Sequence, residues 1–179
     1  MTHAEATSSP QGSPFWRFSL GFYRQPGVAD ACIALQEQAG VDVNLLLFLL
    51  WQATLRRAFS AAEIEALERR IAPWREATVV PLRAVRRALK SPPALVAAAT
   101  AELFRTKIKA VELEAERLQQ EAMHELARAS PCGREAPSTH AAARANVASY
   151  ATIARATFPR PAIESLLAAL PNRERQSEE

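Results

Sequence analysis

The sequence predicts an all-α protein, one bundle of about seven to eight helices. Two observations carry that expectation. Apolar residues recur at helical spacing, with prolines and glycines almost only between the apolar-periodic segments. Strand patterning is missing: the sole β-branched pair in a strand-like setting is Val79-Val80, so no sheet is expected. A composition 49% hydrophobic and 23% charged is globular, and a 179-residue chain of this kind can bury about 70% of its unfolded surface. A single domain is expected over residues 13–170, between disordered tails at 1–12 and 171–179.

Ser13-Pro14 reads as an N-cap and first helical residue. Phe15, Phe18 and Phe22 then share a stripe, with Trp16, Leu20 and Tyr23 beside it, until Pro26 stops the helix. A second helix, about Gly27 to Ala39, sets Val28, Cys32 and Leu35 on one face, which makes Cys32 a buried apolar thiol, and it ends at Gly40. Asp42 caps the third helix, with Val41 and Leu46 as a hydrophobic staple. Leu45, Leu46, Leu47, Phe48, Leu49, Leu50 and Trp51 make this helix, about 42–58, apolar all round, so it belongs at the centre.

Ser60-Ala61-Ala62-Glu63 is a capping box with Phe59 and Ile64 as its staple, and Ile64, Leu67 and Ile71 continue the stripe to Pro73. A fifth helix, about Val79 to Lys90, is expected to bury Leu82, Val85 and Leu89 and to turn a basic face outward. The longest helix, about 93–129, meets no breaker before Pro131 and would run about 55 Å. Within it Phe104, Ile108, Val111, Ala115, Leu118 and Ala122 alternate steps of four and three, a coiled-coil-like seam. Residues 130–138 read as a linker holding Cys132, followed by a seventh helix marked by Val147, Tyr150 and Ile153 and a short eighth with Ile163, Leu166, Leu167 and Leu170.

The run Ser13 to Trp51 has a specific pattern: Phe15-Trp16-Arg17-Phe18-Ser19-Leu20, Tyr23, Pro26-Gly27-Val28 and Gly40-Val41-Asp42-Val43-Asn44-Leu45-Leu46-Leu47. With Pro81-Leu82-Arg83, Arg86-Arg87 and Leu89-Lys90, it resembles a family of small helical proteobacterial proteins, a domain of unknown function. The resemblance implies a bacterial cytoplasmic origin and supplies no catalytic residue.

Several chemistries are excluded. There is no phosphate-binding glycine loop, nucleophile elbow or His-Glu-x-x-His, and the only aspartates, Asp30 and Asp42, cannot build an aspartate-rich magnesium site. Glu121-x-x-His124 is half of a di-metal pattern whose second pair is missing, since His3 and His140 lie in a tail and near the linker. No metal, cofactor or catalytic residue is expected. Met1 to Pro14 lacks the apolar core of a secretory signal. The most apolar run, Leu45 to Trp51, has seven residues, whereas a bilayer needs about 20. A cytoplasmic protein without membrane insertion is expected.

Charge gives the one regional signal: residues 52–91 carry nine basic and four acidic groups, a local excess of +5 against +3 for the whole chain. Arg83, Arg86, Arg87 and Lys90 lie within two turns on one face, the expected contact for an acidic protein or an RNA unless that face is merely solvated. A second expectation is a homo-oligomer through Phe104, Ile108, Val111 and Leu118. The alternative is a small-ligand-binding protein or enzyme with a pocket near Asp42, Asn44 and Trp51, at a helix N-terminus that favours anions, with Arg17 or Arg24 as partner. The plainer reading has Asp42 capping its helix, Asn44 satisfying a nearby polar group, and Asn146 and Tyr150 packed with their polar atoms bonded.

Overall fold

Local capping decides where the first helices begin. In a computed structural model that describes residues 12–171, Ser13 Oγ accepts the Trp16 N–H at 3.0 Å and Pro14 opens α1 (Pro14–Tyr23). Gly27 and Gly40, at φ 78° and 63°, bracket α2 (Val28–Ala39), in a left-handed region that costs glycine nothing. Asp42 caps α3 (Val43–Thr54), and every residue from Asn44 to Leu50 is buried. The tails expected at 1–12 and 171–179 lie outside the described residues, apart from Gly12 and Pro171.

The central helix, expected to run to about residue 58, ends at Thr54. Past Leu55 the chain turns at Arg56, which holds φ 58°, and enters β1 (Arg57–Ala58). That strand pairs antiparallel with β2 (Arg134–Glu135), Arg57 opposite Glu135 and Ala58 opposite Arg134, so a small ladder exists where no sheet was expected. Two-residue strands leave no alternation to read. The stretch expected to be a free linker is therefore strapped down. Arg56 exchanges bonds with Ala136, its Nε donating to the Ala136 carbonyl at 2.9 Å and its carbonyl accepting the Ala136 N–H at 2.8 Å, while Arg57 donates to the carbonyls of Cys132 and Gly133.

The capping box at Ser60 and Glu63 opens α4 (Ala61–Trp74). Pro73 does not end the helical path, as expected from its missing N–H; a π-helical stretch (Arg75–Val79) carries the chain directly into α5 (Val80–Ala88). Its inward positions, Ile71, Arg75, Val79 and Arg83, step by four each time. In an unbroken α-helix three such steps would drift by about a third of a turn, and the wider π turn absorbs that drift.

After a turn through residues 91–97, α6 (Ala98–Ala129) starts five residues later than expected and spans about 48 Å. Then come α7 (Thr139–Ala154) and α8 (Arg160–Ala169). The described residues thus form an all-α bundle of seven helical bodies, counting α4 to α5 as one. The core lies where α3 packs against α7 and α1, while α2 packs on α8 and α5 on α6. Phe15, Phe48, Trp51 and Phe59 form its aromatic centre, Phe15 and Trp51 stacked at 5.3 Å. No helix of the described residues is long and apolar enough to cross a membrane.

Asn146, fully buried, joins the core to the strap: its Oδ1 accepts the Phe59 N–H at 2.6 Å, and its Nδ2 donates to the carbonyls of Leu49 and Arg57 at 2.9 and 3.0 Å. Truncating the fully buried Leu50 of α3 to Ala is expected to cost about 2–5 kcal/mol in urea unfolding, with a neighbouring cavity as the cause. A loss under about 1 kcal/mol would mean that α3 is not the packed centre.

Candidate functional site

The polar chemistry converges on Asp42, whose side chain is 7% exposed. Its Oδ1 accepts the Asn44 N–H at 2.9 Å, the ordinary capping bond. Its Oδ2 accepts from Arg75 Nη1 at 2.9 Å and from Gln119 Nε2 at 3.1 Å, and its own N–H donates to the Tyr150 hydroxyl at 2.9 Å. Arg75 also grips Glu68 with bonds of 2.5 and 3.0 Å. Burial works to make Arg75 less basic, but the hydrogen bonds and charges of Glu68 and Asp42 outweigh it and raise its pKa. For Tyr150 burial raises the pKa, and the Asp42 charge adds to it.

Asn44, the second residue of the expected pocket, accepts from Gln120 Nε2 at 2.7 Å. Trp51 packs among Phe15, Phe48 and His124, and Arg17 turns away to donate to the Gly12 carbonyl at 2.7 Å. Asp42 and Asn44 are thus brought together against α6, while Arg17 is not. An open cleft of about 370 Å³ lies elsewhere, lined by residues that include Phe59, Ser60, Glu63, Gly133 and Arg134. Among the described residues no cluster of three histidine, cysteine, aspartate or glutamate side chains is placed to hold a metal ion. Glu121 instead accepts the Ser13 N–H at 2.8 Å, fixing the start of α1.

The basic face of α5 points partly inward. Arg83 donates to Glu112 at 3.2 Å and to Glu116 at 2.7 Å, and Arg86 holds Glu112 with two bonds, one at 3.1 Å from Nη2. Arg87 and Lys90 are exposed. The expected burial of Val85 is reversed, since it is exposed, and Leu82 and Leu89 are only half-buried. Burial pushes Glu112 upward, yet the hydrogen bonds from Arg86 and Arg83 hold it below the usual carboxylate range. Burial raises Glu116, with Arg83 opposing.

The long helix is reversed in the same way. Its inward face presents Ala101, Glu112, Ala115, Gln119, Gln120 and Met123. The apolar seam faces out: Phe104 is 50%, Val111 52% and Leu118 43% exposed, Leu103 lies beside them, and of the expected seam only Ala115 is buried and Ile108 half-buried. The pair α5 and α6 is therefore assembled inside out, with charge between the helices and hydrocarbon on their outer faces. Sequence reading missed Arg75, Gln119 and Gln120 because amides and arginines on a helix read as solvated; only the long polar run opposite an apolar seam hinted at them.

Two stability outcomes follow. Asp42→Ala should cost about 3 kcal/mol or more in chemical unfolding, because Arg75 and Gln119 lose a buried acceptor while α3 loses its cap. Equal losses for Asp42→Ala in wild-type and Arg75→Leu backgrounds would show that the pair is not coupled. Replacing Arg83 and Arg86 together with Gln should lower stability at neutral pH, whereas Arg87→Gln with Lys90→Gln should change it by less than about 0.5 kcal/mol. Because the folded pKa of Glu112 is depressed, its contribution is present above the ordinary carboxylate pKa and fades as pH falls through the folded value. The first double variant should therefore lose its deficit at acid pH, read by thermal unfolding across pH; a constant deficit would exclude Glu112 as the partner.

No curated protein and no solved structure matches the chain. A family model described as a protein of unknown function, DUF2390, matches residues 14–123, from α1 to Met123 of α6. That span contains Asp42, Asn44, Arg75, the arginines of α5, their glutamate partners and the outward seam, so the chain belongs to the DUF2390 family.

Proposed function

We propose that the protein is a non-enzymatic helical interaction module of the cytoplasm that docks through the outer face of α6. One observation carries this reading: Phe104, Val111 and Leu118 recur every seventh residue and stand about half exposed, while the buried side of the same helix is polar. Contiguous exposed apolar surface of this kind is costly in water and marks a surface that meets a partner. The basic end of α5 is the lesser surface. An acidic protein or an RNA would meet Arg87 and Lys90 there, because Arg83 and Arg86 are engaged by Glu112 and Glu116.

A second reading, a small-ligand-binding protein, draws on three buried polar atoms without a partner among the described residues: Ser19 Oγ, Gln119 Oε1 and Gln120 Oε1. Two of them belong to the α6 glutamines that meet Asp42 and Asn44. Such atoms in a folded protein call for a partner.

Affinity capture with the native chain and with a Val111→Glu, Leu118→Glu variant, followed by mass spectrometry of retained proteins and small molecules, separates the two. The stripe reading expects the variant to keep its helix content and lose the retained protein. Unchanged retention would overturn it, and a co-purified small molecule indifferent to the variant would favour the second reading.

A further inference from the structure

The stripe on α6 is self-complementary about its middle residue. Taking Val111 as the centre, Phe104 lies seven residues before it and Leu118 seven after. At 3.6 residues per turn both sit within about 20° of Val111, so the three form one nearly straight outward line of about 21 Å. Two charges flank that line on the same side. Lys107, four residues before Val111, is turned about 40° from it, and Glu114, three residues after, about 60° in the same sense. Both are exposed; Glu114 also pairs with Arg117 along the helix at 2.6 Å.

We propose that the face is covered by a second copy of this chain, with the two α6 helices antiparallel across a two-fold axis at Val111. This rests on the reading of the stripe as the docking face and names its occupant. The two-fold sets Val111 against the partner's Val111, and Phe104 level with the partner's Leu118, twice over. It also brings Lys107 within one axial step, about 1.5 Å, of the level of the partner's Glu114, on the same side of the interface. Each dimer thus gains two opposite-charge pairs from one symmetric arrangement. A parallel pairing would instead put the partner's Lys107 and Glu114 on the opposite flank of the interface, leaving Lys107 no glutamate of the stripe to meet, and would set Phe104 level with the partner's Phe104. The charge pattern therefore selects the antiparallel form, as flanking charges select the orientation of paired helices.

The test uses the full chain with Cys132→Ser, which removes the exposed thiol and leaves the buried Cys32. Sedimentation velocity should show a concentration-dependent dimer, and Val111→Glu should shift it to monomer with its helical circular dichroism intact. Under a mild oxidant, a Phe104→Cys chain mixed with a Leu118→Cys chain should give a mixed disulfide, while neither alone crosslinks efficiently. Lys107→Glu should weaken the dimer several-fold, and adding Glu114→Lys should restore it. Efficient Phe104→Cys self-crosslinking would overturn the antiparallel arrangement. A chain monomeric across the whole range would overturn the second copy, and retention of host proteins that still depended on Val111 would then leave the docking stripe standing. A monomer whose retention ignored Val111 would remove both.

Discussion

One residue joins four parts of the fold. Asp42 caps α3 with one oxygen, receives Arg75 of the π turn and Gln119 of α6 with the other, and through its backbone N–H meets Tyr150 of α7. Each of these groups sits where water has little access, so each bond is stronger than it would be in solvent and each is costly to leave unmade. The arrangement also fixes orientation. The π turn between α4 and α5 has to present Arg75 at that depth, and α6 has to turn its glutamines rather than its leucines inward to complete the set. The inverted face of α6 is therefore tied to the start of the most apolar helix in the chain.

Much of the frame was legible. Ser13, Asp42 and Ser60 marked helix starts because capping is local chemistry, and the all-round apolar run at Leu45 to Leu50 marked the centre because nothing else in the chain can be buried on every side. Cys32 fell on the buried face of α2 for the same reason, and burial pushes its thiol up to about 12. What was not legible depended on partners distant in sequence. Val85 and the Phe104 seam were assigned inward because periodicity reports which residues share a face but not which way the face points. The carboxylates of α6 settle that direction by drawing Arg83 and Arg86 inward. Pro73 misled because a π turn can absorb a proline that would stop an ordinary helix, and the two-residue strands carry no pattern of their own.

A clasp of arginine and glutamate between α5 and α6 is a weak source of stability compared with hydrocarbon packing, because half-buried charges give up hydration to meet. Its value lies in geometry. Arg83 bridges Glu112 and Glu116, and Arg86 binds Glu112 again, so α5 has a single angular setting on α6. The apolar residues left outside, Val80, Val85, Leu103, Phe104 and Val111, are then held on a rigid platform instead of collapsing onto one another. A face held this way has lost little freedom still to be lost when it is covered.

The pairing of α3 with α7 sets a schedule for biosynthesis. Leu49 of α3 receives a hydrogen bond from Asn146, 97 residues further along the chain, and α7 is the main neighbour of α3. At ribosomal speeds of about 5–20 residues per second, α3 emerges roughly five to twenty seconds before the helix that covers it. During that interval its leucines can be shielded by α1 and α2 and, once it is made, by α6, so the nascent chain passes through a stage in which its most apolar segment waits on a sequence not yet made. A molecule built in this order depends on holding the growing chain apart from others like it until the strap at residues 134–135 and α7 arrive.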